Sequence, residues 1–416
     1  MAQGKENRDK FINYAFFGIL LAMYSLMMLV FFYRQTIEYQ GIYYSDMKAY
    51  ILETQGLESG FDFPYRLFFW ISRVWMIFAT PEAAVAFSTM LLDSFCVVLV
   101  KYYFDTILAD YARKEGVRWT LLWRLVTTIA VFSLFFMSMI YSERGEKFWS
   151  YDYIYRCNGI YTPNPYWNAT FLAVRPFTVL SFFLSAKVLS EYERDFSWKD
   201  GILLGTAVFL ATFTKPSFTF ILGPVLAVTV FGRLFGKKFA YWKNTVNLCC
   251  CFLPTVLLLV YQFRGVFMGT NSRGEETGIG LEAGKAWHLF TGNIPLCIMM
   301  ATFFPLSVLA LNWKELKRNG AFRLAWQLMV VGFLSFLLLY EKGFRFEHMN
   351  FSWGYMHGLF FVFLLSILQM LKNAMKRENL MYKLFLAPEL VTYSYHLICG
   401  IVFFCYMYQG NNAGAF

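Results

Sequence analysis

Apolar residues run along this chain in blocks of roughly twenty, nearly free of charge and separated by short polar segments, the length that spans about 30 Å of hydrocarbon as a helix. The blocks lack the period-two alternation of a membrane barrel, and a backbone in lipid must satisfy its own polar groups, so the pattern predicts helices. Predicted crossings cover residues 11–32, 83–108, 121–140, 169–189, 244–262, 294–311, 322–340, 355–371 and 387–408. The stretch 201–231 is long for one crossing, and Lys215-Pro216 interrupts it. It reads either as two short helices turning at 212–217 or as a single kinked helix. The pair keeps every later basic loop on one side and is the preferred reading. The expectation is an all-α polytopic transmembrane bundle of about eleven helices, forming a single transmembrane domain over residues 1–416.

Two segments between the first and second crossings have a different character. Residues 47–55 predict a short helix. Residues 65–78 are amphipathic and aromatic, with Arg66 and Arg73 set against Leu67, Phe68, Trp70 and Ile71. Such a helix lies in the membrane interface rather than crossing it. Pro64 and Pro81 bound it. The segments 141–168 and 263–293 read as polar outer loops, the second of them Gly-rich and mobile.

Composition agrees with the pattern. Hydrophobic residues make up 58% of the chain and charged residues 15%, against about 25% in a soluble domain. The net charge of +10 would suit nucleic acid, but Lys and Arg cluster in loops on alternate sides, which is the positive-inside distribution of a multi-pass cell-membrane protein. Lys5, Arg8 and Lys10 place the amino end in the cytoplasm and, with eleven crossings, the carboxyl end outside. The first apolar run is too long and aromatic for a cleaved signal and is expected to be retained. The 8 Cys and 4 His show no disulfide framework and no metal-ligand spacing. No cofactor is called for.

Charges on the expected outer side are the minority, and several sit in apolar surroundings. Asp46, framed by tyrosines, reads either as the cap of the helix that follows or as a base that takes a proton from an acceptor hydroxyl. Lys215 and Arg175 each precede a proline inside apolar sequence. A cation there is costly unless it snorkels, pairs with an acid such as Asp93, or meets a lipid phosphate. Arg345, in the charged turn 341–352, is a third phosphate candidate. Tyr44, Arg66, Asn168, Glu347 and His348 are candidate substrate-binding residues around the same mouth.

The acid soon after the first helix (Tyr44-Ser45-Asp46-Met47), the amphipathic segments that follow, and the stretch Tyr161-Thr162-Pro163-Asn164-Pro165-Tyr166-Trp167-Asn168-Ala169-Thr170 resemble bacterial members of the GT-C superfamily, as does the helical pair around Thr214-Lys215-Pro216. These are integral-membrane glycosyltransferases that use polyprenyl-phosphate-linked sugars. The resemblance covers residues 1–230; residues 231–416 agree only in being multi-helical. It implies an inverting transfer of a sugar from a polyprenyl-phosphate donor to a glycan or lipid acceptor at the outer membrane face, in the cell envelope. Asp46 would be the base or the acceptor-orienting acid, with Lys215, Arg175 or Arg345 offsetting the charge of the donor phosphate. Many members carry two adjacent acids at this position, whereas Asp46 is followed by Met47 and Lys48, so a metal-dependent scheme is not implied. The competing reading is a transporter or flippase of lipid-linked saccharides, which needs the cations but not Asp46.

Overall fold

The computed structural model describes residues 2–38, 43, 45–61, 63–140, 162–267, 277–289, 291–376 and 380–410. Tyr44, Tyr161 and most of the segment 141–168 lie outside the described residues. Among them are fourteen α-helices and two short strands. Among the described residues nine helices are long and apolar enough to cross a membrane, so the chain is a multi-pass helical membrane protein in contact with lipid.

Helix α1 (Ala2–Ile37) leads to α2 (Met47–Gln55) and α3 (Leu67–Trp75), neither of which spans. α2 buries Met47, Tyr50, Ile51 and Thr54, the i, i+3, i+4, i+7 face of a helix. Gly56, at a φ of 78°, ends it in the left-handed conformation that glycine adopts without strain. Arg73 of α3 donates to the carbonyls of Glu53 and Thr54 and so clamps the two helices together. α4 (Pro81–Lys114) starts on Thr80, whose hydroxyl accepts from the Ala83 amide, with Pro81 at the first helical position.

α5 (Leu121–Leu134) is shorter than its apolar run. Residues 135–140 leave the helix because other groups claim their backbone. Asn164 donates to the carbonyls of Leu134 and Met137, Tyr166 to that of Phe135, and the Ile140 amide bonds the Met300 carbonyl. α6 (Ala169–Glu191) follows, and then α7 (Trp198–Thr214) and α8 (Ser217–Gly236).

α7 and α8 form a hairpin. α7 begins close after α6, and Arg233 near the end of α8 comes back to the Leu189 carbonyl and Glu193 at the end of α6. The hydroxyls of Thr212 and Thr219 meet at 2.7 Å across the turn, which no continuous helix allows at a spacing of seven. Lys215 is extended (φ −166°, ψ 120°), the conformation favoured before proline.

α9 (Trp242–Phe267) starts where α6 ends, with Asn244 donating to the Tyr192 carbonyl. Strand β1 (Ile279–Leu281) pairs antiparallel with β2 (Leu339–Glu341), Gly280 opposite Tyr340. The described part of the predicted mobile loop is therefore anchored, and Trp287 within it is fully buried against Phe336 and Tyr355. α10 (Ile294–Leu311), the four-residue α11 (Trp313–Leu316), α12 (Gly320–Leu338), α13 (Ser352–Met375) and α14 (Leu380–Tyr408) complete the bundle.

α13 is the axis of the molecule. Every residue of its most apolar 18-residue window is buried. Apolar side chains gain little by leaving lipid for one another, so close packing must hold such a helix. A Cβ on Gly358 would lie 2.5 Å from the Met329 Cα of α12, and one on Gly354 would lie 2.7 Å from Ile221 of α8. The start of α1 and the end of α14 lie at opposite ends. The start of α1 is near Arg124 of α5, while the end of α14 accepts hydrogen bonds from Arg34 and Tyr43 at its Tyr408 carbonyl.

Candidate functional site

The site lies at the end of the bundle where α1 and α14 finish. Three short pieces meet there: the start of α2, the start of α6 and the α7–α8 turn. Asp46 occupies the N-cap position of α2, but its side chain makes no capping bond. Its carboxylate instead accepts from Tyr50 Oη at 3.1 Å and from Asn168 Nδ2 at 3.0 Å. The capping alternative thus gives way to a carboxylate turned toward α6. Asp46 itself is exposed, so one side of it meets the surroundings.

Asn168 is the N-cap of α6, and its Oδ1 accepts from the Phe171 amide at 2.9 Å. The same oxygen accepts from Lys215 Nζ at 3.1 Å and from the Thr170 hydroxyl at 2.9 Å. One amide therefore joins the Asp46 carboxylate to the Lys215 ammonium. Lys215 is 5% exposed. Its Nζ also donates to Thr170 Oγ1 at 3.1 Å and stands 4.4 Å from the Trp353 ring centroid and 5.7 Å from that of Tyr65. In the α7–α8 turn, burial pushes this ammonium down to about 7, and the charge of Asp46 opposes the shift. Tyr65, beside Thr170, has its phenol pushed up by burial and by Asp46, while Arg345 pulls the other way. The result is a small polar cluster of an acid, a buried cation, an amide and two phenols, walled by aromatic rings.

The other predicted residues divide. Arg345 stands within electrostatic reach of Tyr65 but is bonded to Glu341 at 3.2 Å. Burial raises the Glu341 carboxyl, and Arg345 and Asn350 hold it down. His348 packs against Phe61 and Phe344, and Phe61 continues through Phe63 to Tyr50 and Tyr65, so His348 borders the aromatic wall. Arg66 pairs with Glu53 at 2.8 Å on the α2–α3 clamp, and Glu347 is exposed; neither joins the chain from Asp46 to Lys215. Tyr44 lies outside the described residues.

Arg175, the other candidate for the donor phosphate, lies away from this cluster. It is fully buried, ion-paired to the fully buried Asp93, and hydrogen-bonded to Asn164 Oδ1 at 2.6 Å. Both terminal nitrogens are engaged inside the bundle, and its buried Nε has no hydrogen-bond partner among the described residues. The pairing with Asp93 is the alternative that the residues themselves had offered.

Tyr50, Thr170, Tyr65 and Trp353 were not singled out from the sequence. Tyr50 carries a usable signal, standing one helical turn beyond Asp46, as does Thr170, two residues after Asn168. Tyr65 and Trp353 carry none in a chain that is 21% aromatic. A second polar cluster also went unnoticed. Glu389, fully buried in α14, accepts from Asn312 at 2.7 Å and from Asn373 at 2.9 Å and 3.0 Å. Among the described residues no group of three or more His, Cys, Asp or Glu side chains has the arrangement to hold a metal ion. No protein-family model, no curated protein and no solved structure matches the chain.

Proposed function

We propose that this protein is a GT-C-type membrane glycosyltransferase that moves a sugar from a polyprenyl-phosphate donor to an acceptor hydroxyl with inversion at the anomeric carbon. The observation that carries this reading is the chain Asp46–Asn168–Lys215, which sets an exposed carboxylate and a buried cation on the two ends of one amide. The non-spanning helices α2 and α3 lie beside it, where a lipid-linked donor would arrive. With α5 and α7 counted as crossings beside the nine longer helices, the passes among the described residues would number eleven. The site then falls on the face opposite the basic loops, the outer one by the positive-inside rule.

In this mechanism the acceptor hydroxyl gives its proton to Asp46 as its oxygen forms the new bond to the anomeric carbon. The bond from that carbon to the phosphate oxygen breaks, and its electron pair leaves with the lipid phosphate. Lys215 offsets the charge that builds on the leaving oxygen. That group departs as an anion, so no general acid is required. Asp46 is open to the surroundings and can release its proton after each turnover. Arg175 has no part in the scheme.

The test is transfer of labelled sugar from a synthetic polyprenyl-phosphate donor by the purified protein, set beside Asp46→Asn. Removing a general base costs about 100- to 10,000-fold in rate, and a loss of that size with donor binding retained is the expected result. Full activity in Asp46→Asn would remove the residue from the mechanism. Donor translocation across vesicles with no transfer in the wild type would replace the enzyme with a transporter of lipid-linked saccharides.

A further inference from the structure

At the end of the bundle opposite Asp46 there is a cleft of about 460 Å³ between α8, α11 and α12. That volume is within the range of small-molecule sites, roughly 300–1,000 Å³. Its walls are apolar, with Pro224, Val225 and Val228 on α8, Leu316 on α11, and Trp326 and Val330 on α12. α12 begins at Gly320, so Arg323 stands in its first turn, and Val330 lies seven residues on, roughly 10 Å deeper along the axis. Lys317 and Arg323 complete the lining at the shallow end. Both are exposed, and among the described residues neither has an ion-pair partner. The nearby acid Glu315 is turned to Lys376, 3.7 Å away.

A long apolar slot with two exposed cations at one end is complementary to a molecule that is apolar along its length and anionic at its head. We propose that the cleft binds an anionic phospholipid of the leaflet at the basic end. One acyl chain lies along Val225, Val228 and Val330, and the phosphate meets Lys317 and Arg323. Basic pockets between membrane helices bind acidic headgroups by the same combination of apolar burial and charge. The site is separate from the Asp46 cluster and does not depend on its chemistry.

The experiment uses the full chain in mild detergent, delipidated and then titrated with palmitoyl-oleoyl phosphatidylglycerol or phosphatidylcholine. Retained lipid is counted by mass spectrometry of the intact complex. At least a tenfold preference for phosphatidylglycerol is expected in the wild type. The preference should fall to near unity in Lys317→Ala/Arg323→Ala, which alters exposed side chains only. Val228→Trp fills the slot from a residue that is 75% exposed, and it should displace both lipids without loss of folded protein. Equal retention of the two lipids by the wild type overturns the proposal, as does an unchanged preference in the double variant. Competition by millimolar inorganic phosphate alone would make the site one for soluble anions and overturn it too. So would a Val228→Trp variant that changes oligomeric state while keeping its lipid.

Discussion

The Asn168 side chain has one orientation open to it. The Phe171 amide and the Lys215 ammonium can only donate, so the amide oxygen must face them and the NH2 must face Asp46. This fixes the geometry between acid and cation, and on the proposed function it would make Lys215 the residue whose charge state decides anion binding. Burial pushes its ammonium down to about 7, against an ordinary value of about 10.4. Between those two pH values the unfolded chain binds the extra proton and the folded one does not, so this group's contribution to stability becomes more favourable as pH rises through the window. Donor binding, on the proposed function, would run the other way. A phosphodiester donor does not titrate there, and it binds the protonated form, so above pH 7 its affinity should fall by about tenfold per pH unit until the complex itself loses the proton. Lys215→Arg keeps its charge and should flatten the profile. Equilibrium titration of a short-chain donor analogue at pH 6, 7, 8 and 9 measures this. A flat wild-type profile would mean that another group meets the phosphate.

At the scale of the element, packing rather than hydrophobicity decides which substitutions the bundle tolerates. Gly358→Ala places a methyl 2.5 Å from a backbone carbon of α12, a contact that neither helix can relieve without moving. Overpacking of this kind costs about 1–3 kcal/mol, and a drop of several degrees in apparent Tm by scanning fluorimetry is expected. Gly223→Ala on α8 meets nothing within 4 Å, and alanine is the better helix former, so its Tm should stay level or rise. Equal responses from the two would mean that α12 and α13 do not approach as closely as described. The same contrast explains what was legible in the sequence. The Lys215-Pro216 break and the short helix after Asp46 are local, written in a proline and in a helical spacing. Asp46, Asn168 and Lys215 stood out because polar side chains are conspicuous in apolar surroundings. The end of α5 at Leu134 was not legible, because the apolar run continues to residue 140 while its carbonyls are claimed by Asn164 and Tyr166 from thirty residues away. The anchoring of Trp287 was hidden in the same way, in a segment whose glycines and charges speak only for a loop.

Across the whole molecule, a buried ionic network lies between the Asp46 cluster and the basic end. Tyr24 of α1 donates to Asp93 of α4 at 2.6 Å, and Asp93 is paired with Arg175 of α6. Arg175 reaches on to Asn164, and its guanidinium lies over the rings of Phe135 and Phe360, the latter on the central α13. Four helices and the segment after α5 thus converge on one ion pair, which explains why so costly a pair is present inside an apolar bundle. Desolvating two charges is repaid only when hydrogen bonds surround them, so the pair adds more to the register of the helices than to net stability. The consequence is asymmetric. Asp93→Ala strands a guanidinium in the interior and should destabilise the fold by about 3–5 kcal/mol, with expression and apparent Tm falling together. Asp93→Leu combined with Arg175→Met removes both charges and should recover most of that loss. On the proposed function the double variant should also retain wild-type donor affinity, because Arg175 makes its contacts with Asp93 and Asn164 and not with the Asp46 cluster. If it stays folded but loses donor binding, the network and the site are one unit, and Arg175 returns to the list of residues that hold the donor.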